Sequence, residues 1–259
     1  MALVPVHREG AEGASIIADA RLTAQRQVLV KTVKDVRSLE LTFPFPDQDA
    51  LYASKPANFL GHYLGHEGEG SILSLLKARG LANSLSAGCG GGGTGFDLFK
   101  VNVDLTKEGL ERYVEVAQTI FHYIGLLKST APQEWAFREV AVLSEISFRF
   151  LEKGRPAGYV TALSGYMTRP YPRDRILSAP YTMTDFDRDQ IAGALSSLDI
   201  ANCLVSVASQ TPLPGFEYKE KEQWYGTQYA LAPLPSELVD VRVLAHDLAD
   251  GAAYDLAAG

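Results

Sequence analysis

The chain has 259 residues, 46% of them hydrophobic, with a formal net charge of −7 and a pI near 5.3. That length and apolar content can bury one full core, and an acidic surface repels both nucleic acid and anionic membrane, so neither is expected as a partner. No run of about 18 apolar residues and no signal-like start is present, and the two cysteines, Cys89 and Cys203, lack C-x-x-C spacing. A reduced, cytoplasmic protein without cofactor or metal is the expectation.

Residues 1–27 are polar, without a firm period, and read as an N-terminal arm. Residues 28–33 and 37–43 read as strands, the second alternating cleanly through Leu39, Leu41 and Phe43 before Pro44 and Pro46 end it. Pro56 suits the first turn of a helix running through Phe59, Leu60, His62 and His66. Ser71 or Gly70 caps a second helix over residues 72–79, stopped by Gly80. Strands over 81–87 and 96–103 flank a glycine-rich run, residues 88–95, whose sequence lacks a P-loop pattern and reads as a hairpin connection.

Thr106 opens a long helix with Leu110, Tyr113, Val114, Ala117, Ile120, Phe121 and Ile124 as its core stripe. Pro132 starts the next, over residues 133–153, with Trp135, Val142, Ile146 and Phe150 as buried candidates. A shorter helix over 157–167 is followed by the stiff connector Arg169-Pro170-Tyr171-Pro172-Arg173. Thr184 or Asp185 caps a helix through Leu195, residues 201–208 form a last strand, and the tail from Gln210 wraps the surface, with Trp224, Tyr225 and Tyr229 sealing the core. Antiparallel-looking strands grouped with blocks of helices mean an α+β fold, an antiparallel sheet packed on one face by several helices.

The chemistry concentrates in Gly61-His62-Tyr63-Leu64-Gly65-His66-Glu67-Gly68. Histidines four apart share a helix face, as in the H-x-x-E-H helix of inverted zinc peptidases, where both bind the metal and the glutamate activates water. Gly65 occupies the place of that base and has no group to accept a proton. Glu139 and Glu145 lie in the helix that would supply a third ligand, but the partner position seven after Glu139 is Ile146. Glu145 is one residue, about 100°, off that face. Cys89 lies in the glycine-rich run with no cation beside it to stabilise a thiolate.

Five ordered blocks, residues 37–47 (RSLELTFPFPD), 61–71 (GHYLGHEGEGS), 101–106 (VNVDLT), 132–137 (PQEWAF) and 224–229 (WYGTQY), closely resemble the second, non-catalytic domain of the insulin-degrading enzyme family of inverted zinc metallopeptidases. The resemblance covers residues 28–230, leaving 231–259 as a C-terminal extension, and the chain is expected to act as a stand-alone relative. It implies a domain that does no chemistry itself and supplies an exosite gripping an extended peptide, partly by adding it to a sheet edge. The exosite positions fall on His62, Gly65, Glu67, Leu85, Ala87 and Cys89. Ala87 stands where the family has glycine and Cys89 where glutamine is usual, and a methyl group at a close backbone approach obstructs such a contact.

Two alternatives stay open. A stand-alone domain could be repurposed as a metal-free enzyme on a small apolar molecule, with His62, His66 and Glu139 as acid, base or hydrogen-bonding groups in a proton transfer or cyclisation. The other is a residual zinc metallopeptidase. A face that evolved to be covered also predicts a homodimer or association with separately encoded insulinase-type domains.

Overall fold

The computed structural model describes residues 26–93 and 95–239, so nearly all of the N-terminal arm and residues 240–259 of the C-terminal extension lie outside the described residues. The elements run β1 (Arg26–Lys31), β2 (Arg37–Pro46), α1 (Pro56–Leu64), α2 (Ile72–Ala78), β3 (Ala82–Cys89), β4 (Phe96–Leu105), α3 (Lys107–Glu111), α4 (Tyr113–Ser129), α5 (Glu134–Arg149), α6 (Pro156–Met167), α7 (Arg188–Ser196), β5 (Leu204–Ser209), β6 (Glu220–Lys221), β7 (Gln228–Pro233) and α8 (Ser236–Val239). Seven strands make one sheet in the order β3-β4-β2-β5-β1-β7-β6. Neighbours are antiparallel except β1 and β5, which pair in parallel because the whole helical block intervenes between them. The fold is α+β.

Alternation along the strands sends Leu39, Leu41 and Phe43 of β2, Phe99, Val101 and Val103 of β4, and Val205 and Val207 of β5 into the helical layer, all essentially inaccessible. The opposite face is polar, with Lys100 and Glu40 paired across strands at 3.2 Å. Gln27, one of several buried polar side chains among the described residues, is bonded at both ends of its amide: it accepts from the Tyr113 hydroxyl at 2.8 Å and donates to the Pro233 carbonyl at 3.1 Å.

β2 continues through Pro44 and Pro46 instead of ending at Phe43, and hydrogen-bond parity explains it. The Gly90 amide donates to the Leu98 carbonyl, so even-numbered residues of β4 face β3 and odd-numbered ones face β2. Pro44 and Pro46 oppose Leu98 and Phe96, so their missing N–H groups point away from β4, on the side where pairing with β5 has already stopped at Thr42.

Several helix expectations need correction. The helix opened by Thr106, whose hydroxyl accepts from the Gly109 amide, breaks at Arg112 into α3 and α4, though the stripe from Leu110 to Ile124 is buried as the spacing predicts, with Val114 only partly so. α7 is capped by Asp187, which accepts from the Gln190 amide, and not by Thr184 or Asp185. α5 buries Ala136, Phe137 and Val140, whereas Trp135, Val142, Ile146 and Phe150 are exposed. The apolar period there was correct but its phase was not, because α5 carries apolar residues on two faces. The tail beyond Gln210 does more than wrap the surface: β7 enters the sheet beside β1. Trp224 and Tyr225 seal nothing, being 82% and 92% exposed in the β6–β7 turn, where their amides donate to the Glu222 carboxylate.

The placement of the core is testable by urea unfolding. Phe43→Ala removes a side chain with no solvent exposure and is expected to cost about 3–5 kcal/mol. Trp224→Ser is expected to change stability by less than about 0.5 kcal/mol.

Candidate functional site

The site forms where α1 meets the edge strand β3. Pro56 occupies the first turn of α1, and the residue before it, Lys55, takes a left-handed backbone with φ of 39°. The helix ends at Leu64, two residues earlier than expected, with the Gly65 amide donating to the Gly61 carbonyl at 2.9 Å. His66 therefore lies just outside the helix. Its ring still stands edge to face against His62, centroids 5.7 Å apart, and its Nδ1 accepts from the Gly68 amide at 3.1 Å. Glu67 is exposed beside it.

Gly61 and Gly65 let α1 approach β3. A Cβ on Gly61 would lie 3.0 Å from the Ala87 carbonyl oxygen; one on Gly65 would lie 2.9 Å from the Gly61 carbonyl oxygen and 3.3 Å from the Ala87 nitrogen. The position where an inverted zinc peptidase carries its glutamate is thus filled by backbone. Leu85, Ala87 and Cys89 share one face of β3, with Leu85 in the core and the Ala87 methyl packed towards α1, not along the strand edge. β3 is the outermost strand of the sheet at this end. By the parity set at Gly90 and Leu98, residues 84, 86 and 88 bond β4, whereas Leu85, Ala87 and Cys89 direct their backbone N–H and C=O groups outward.

The electrostatics favour neutral groups. Burial first, and the neighbouring His66 second, hold His62 below the ordinary imidazole range, while Glu139 on α5 pulls the other way. Glu139 is thus near enough to His62 to act on its charge, and both Glu139 and Glu145 lie on the exposed part of α5. Among the described residues, no three or more His, Cys, Asp or Glu side chains converge as a metal site requires, so the residues present do not fit zinc. Burial and Asp97 push the Cys89 thiol up to about 12, which leaves it protonated and a poor nucleophile.

Beyond Cys89 lies a polar cleft of about 590 Å³ that sequence reasoning missed, bounded by Asp47, Asp49, Lys55, Asp97, Arg169 and glycines 90–93. Lys55 is buried, its Nζ donates to the Ala179 carbonyl at 2.6 Å, and desolvation with the nearby Arg169 brings its amine down to about 8. Arg169 pairs with Asp49. The Lys55-Pro56 dipeptide was the available signal, since proline restricts the residue before it. An apolar crevice lined by Phe59, Leu60, Tyr63, Leu127 and Trp135 holds about 100 Å³, below the roughly 300–1,000 Å³ of small-molecule sites.

Two measurements check this geometry. By NMR titration His62 should protonate below about 6.5, lower still in Glu139→Gln and higher in His66→Gln. Because the unfolded chain binds that proton first, the group costs stability as pH falls through that range. Gly65→Glu, which restores the residue type of the lost base, should destabilise the fold by about 1–3 kcal/mol through overpacking against Gly61 and Ala87, as read by chemical denaturation, and should not bring zinc binding.

Comparison with known proteins agrees with the geometry. The family model described as the peptidase M16 inactive domain matches residues 17–141, and that of the middle or third domain of peptidase M16 matches residues 148–248. Insulin-degrading enzyme of Homo sapiens is 41% identical over 209 residues, 80% of this chain and 20% of the relative. The A-factor-processing enzyme of Saccharomyces cerevisiae is 37% identical over 216 residues, 83% of this chain and 20% of the relative. The crystal structure of pitrilysin superposes with a TM-score of 0.79 at 20% identity, covering 86% of this chain and 24% of that one. The chain thus spans about a fifth of the length of these curated relatives. With both family models, the five sequence blocks and the pitrilysin-like fold in agreement, the chain belongs to the insulinase (peptidase M16) family of metallopeptidases, as a non-catalytic domain of it.

Proposed function

We propose that this domain binds an extended peptide on the free edge of β3, beside His62, Gly65 and Glu67, without cleaving it. The observation that carries the reading is the outward backbone of Leu85, Ala87 and Cys89 on the outermost strand. These three residues offer six main-chain groups to an added strand, and side chains of the peptide would alternate towards the α1 and polar-cleft side. At a net 0.5–1.5 kcal/mol per hydrogen bond, six bonds supply roughly 3–9 kcal/mol before the entropy of ordering the peptide is subtracted. Micromolar affinity, about 8 kcal/mol, therefore needs side-chain contacts as well, and His62 and the polar cleft stand where those contacts would be made. The names of the human and yeast relatives give insulin and the A-factor as what those proteins act on, which supports a peptide as the ligand. The small apolar crevice gives little support to a small apolar substrate.

Calorimetry with a panel of extended peptides tests the proposal. Micromolar-class binding without turnover is expected, lost when alternate peptide amides are N-methylated in the phase that pairs with β3 and kept when the other phase is methylated. Absence of binding by the folded protein, or binding indifferent to both methylation patterns, would overturn it.

A further inference from the structure

We infer that Lys55 is a nucleophilic amine that forms a reversible Schiff base with a small, uncharged hydroxy-aldehyde or hydroxy-ketone taken up by the polar cleft beside the glycine-rich run. The reaction does not depend on peptide capture at the β3 edge.

The inference begins with the surroundings of one amine. Lys55 is only 8% exposed, and its Nζ donates to the Ala179 carbonyl at 2.6 Å. Among the described residues no carboxylate pairs with it, since the nearby Asp49 is taken by Arg169. A buried ammonium with one neutral acceptor and no counter-ion is costly, and losing the proton relieves the cost. Desolvation and the Arg169 cation accordingly bring the amine down to about 8. A lysine desolvated next to another cation is the arrangement that activates amines towards carbonyl carbon. Lys55 and Pro180, which follows the acceptor Ala179, both border the cleft, so the amine stands at its wall. The left-handed backbone of Lys55, φ 39°, is held between its own amide on the Leu51 carbonyl at 2.8 Å and the ring of Pro56. Strained backbone of this kind collects at functional sites.

The lining selects the ligand. The cleft holds about 590 Å³, within the roughly 300–1,000 Å³ of small-molecule sites. Its charged groups besides Lys55 are Asp47, Asp49, Asp97 and Arg169. With the amine neutral, three carboxyls face one guanidinium, and an anionic carbonyl compound such as a keto acid is repelled. Hydroxyl groups, which both donate and accept, suit Asp47, Asp97, Tyr52 and Asn58. In the reaction the Nζ lone pair adds to the carbonyl carbon while the carbonyl oxygen takes a proton, giving a carbinolamine. Loss of water then forms C=N, both amine hydrogens leaving with the carbonyl oxygen, and hydrolysis reverses the step. No oxidant or reductant is consumed.

The probe is glyceraldehyde with sodium cyanoborohydride, which delivers hydride to the imine carbon and fixes it as a secondary amine. The whole chain is labelled without peptide and read by peptide mass mapping, with Nα-acetyl-lysine amide in the same tube as the standard. Near pH 8 the Lys55 amine should be labelled at least about tenfold faster than the standard, whose amine, near 10.4, is almost wholly protonated there. That ratio should fall as the pH is raised towards about 10, because only the standard still gains free base. It should vanish in the urea-unfolded chain, and with glyoxylate, an anionic aldehyde, it should be at least about tenfold smaller, the acids of the cleft opposing a second negative charge. Labelling of Lys55 in the folded protein no faster than the standard, or a preference that survives unfolding, would overturn the inference. So would a ratio as large with glyoxylate as with glyceraldehyde.

Discussion

The site depends on one close approach. Two glycines a helical turn apart, Gly61 and Gly65, bring α1 down onto the backbone of Ala87, nearer than any side chain would permit. That approach turns the Ala87 methyl towards the helix. It also removes the space a glutamate at position 65 would need. The loss of the catalytic base and the shape of the candidate binding surface are therefore one structural fact.

A second constraint, the parity of hydrogen bonding along β4, governs features far apart in sequence. The single bond from the Gly90 amide to the Leu98 carbonyl sets which residues of β4 face each neighbour. From it follow both the tolerance of Pro44 and Pro46 inside β2 and the outward backbone of Leu85, Ala87 and Cys89 on β3. The three residues that the family resemblance marks in β3 are the same three that parity turns away from β4. An edge strand invites pairing, and natural sheets cover or blunt such edges; here α1 lies against it, with Gly61 and Gly65 beside the Ala87 carbonyl and amide.

Much of the fold was legible in the sequence, and its errors have a common cause. Alternation located β2 and β4, and the Ser71 and Thr106 caps and the 3–4 stripe of α4 were readable because they depend on neighbours within one turn or one strand. α5 was misread because a helix apolar on two sides satisfies the helical period in either phase, and only packing against Phe59 of α1 and against Phe186 selects the side of Phe137 and Val140 as the inner one. β7 was missed because Gln228–Pro233 is a short strand whose pairing partner, β1, lies some 200 residues earlier. The aromatic pair Trp224 and Tyr225 looked like core by composition, yet a tight turn holds it in solvent through the Glu222 carboxylate.

The sequence by itself determined the family, the replacement of the base by Gly65, the α+β class and the residues around which the site is built, since each is carried by residue identity at fixed short spacing. Only the tertiary structure decided which strand is the edge, which of its backbone groups parity turns away from β4, that Glu139 acts on the charge of His62, and that α5 and α6 expose apolar side chains. Those properties belong to pairs of segments distant in the chain. Their geometry is set by how closely two elements can approach and by which side of a strand its hydrogen bonds take, and neither quantity is written in any one stretch of residues.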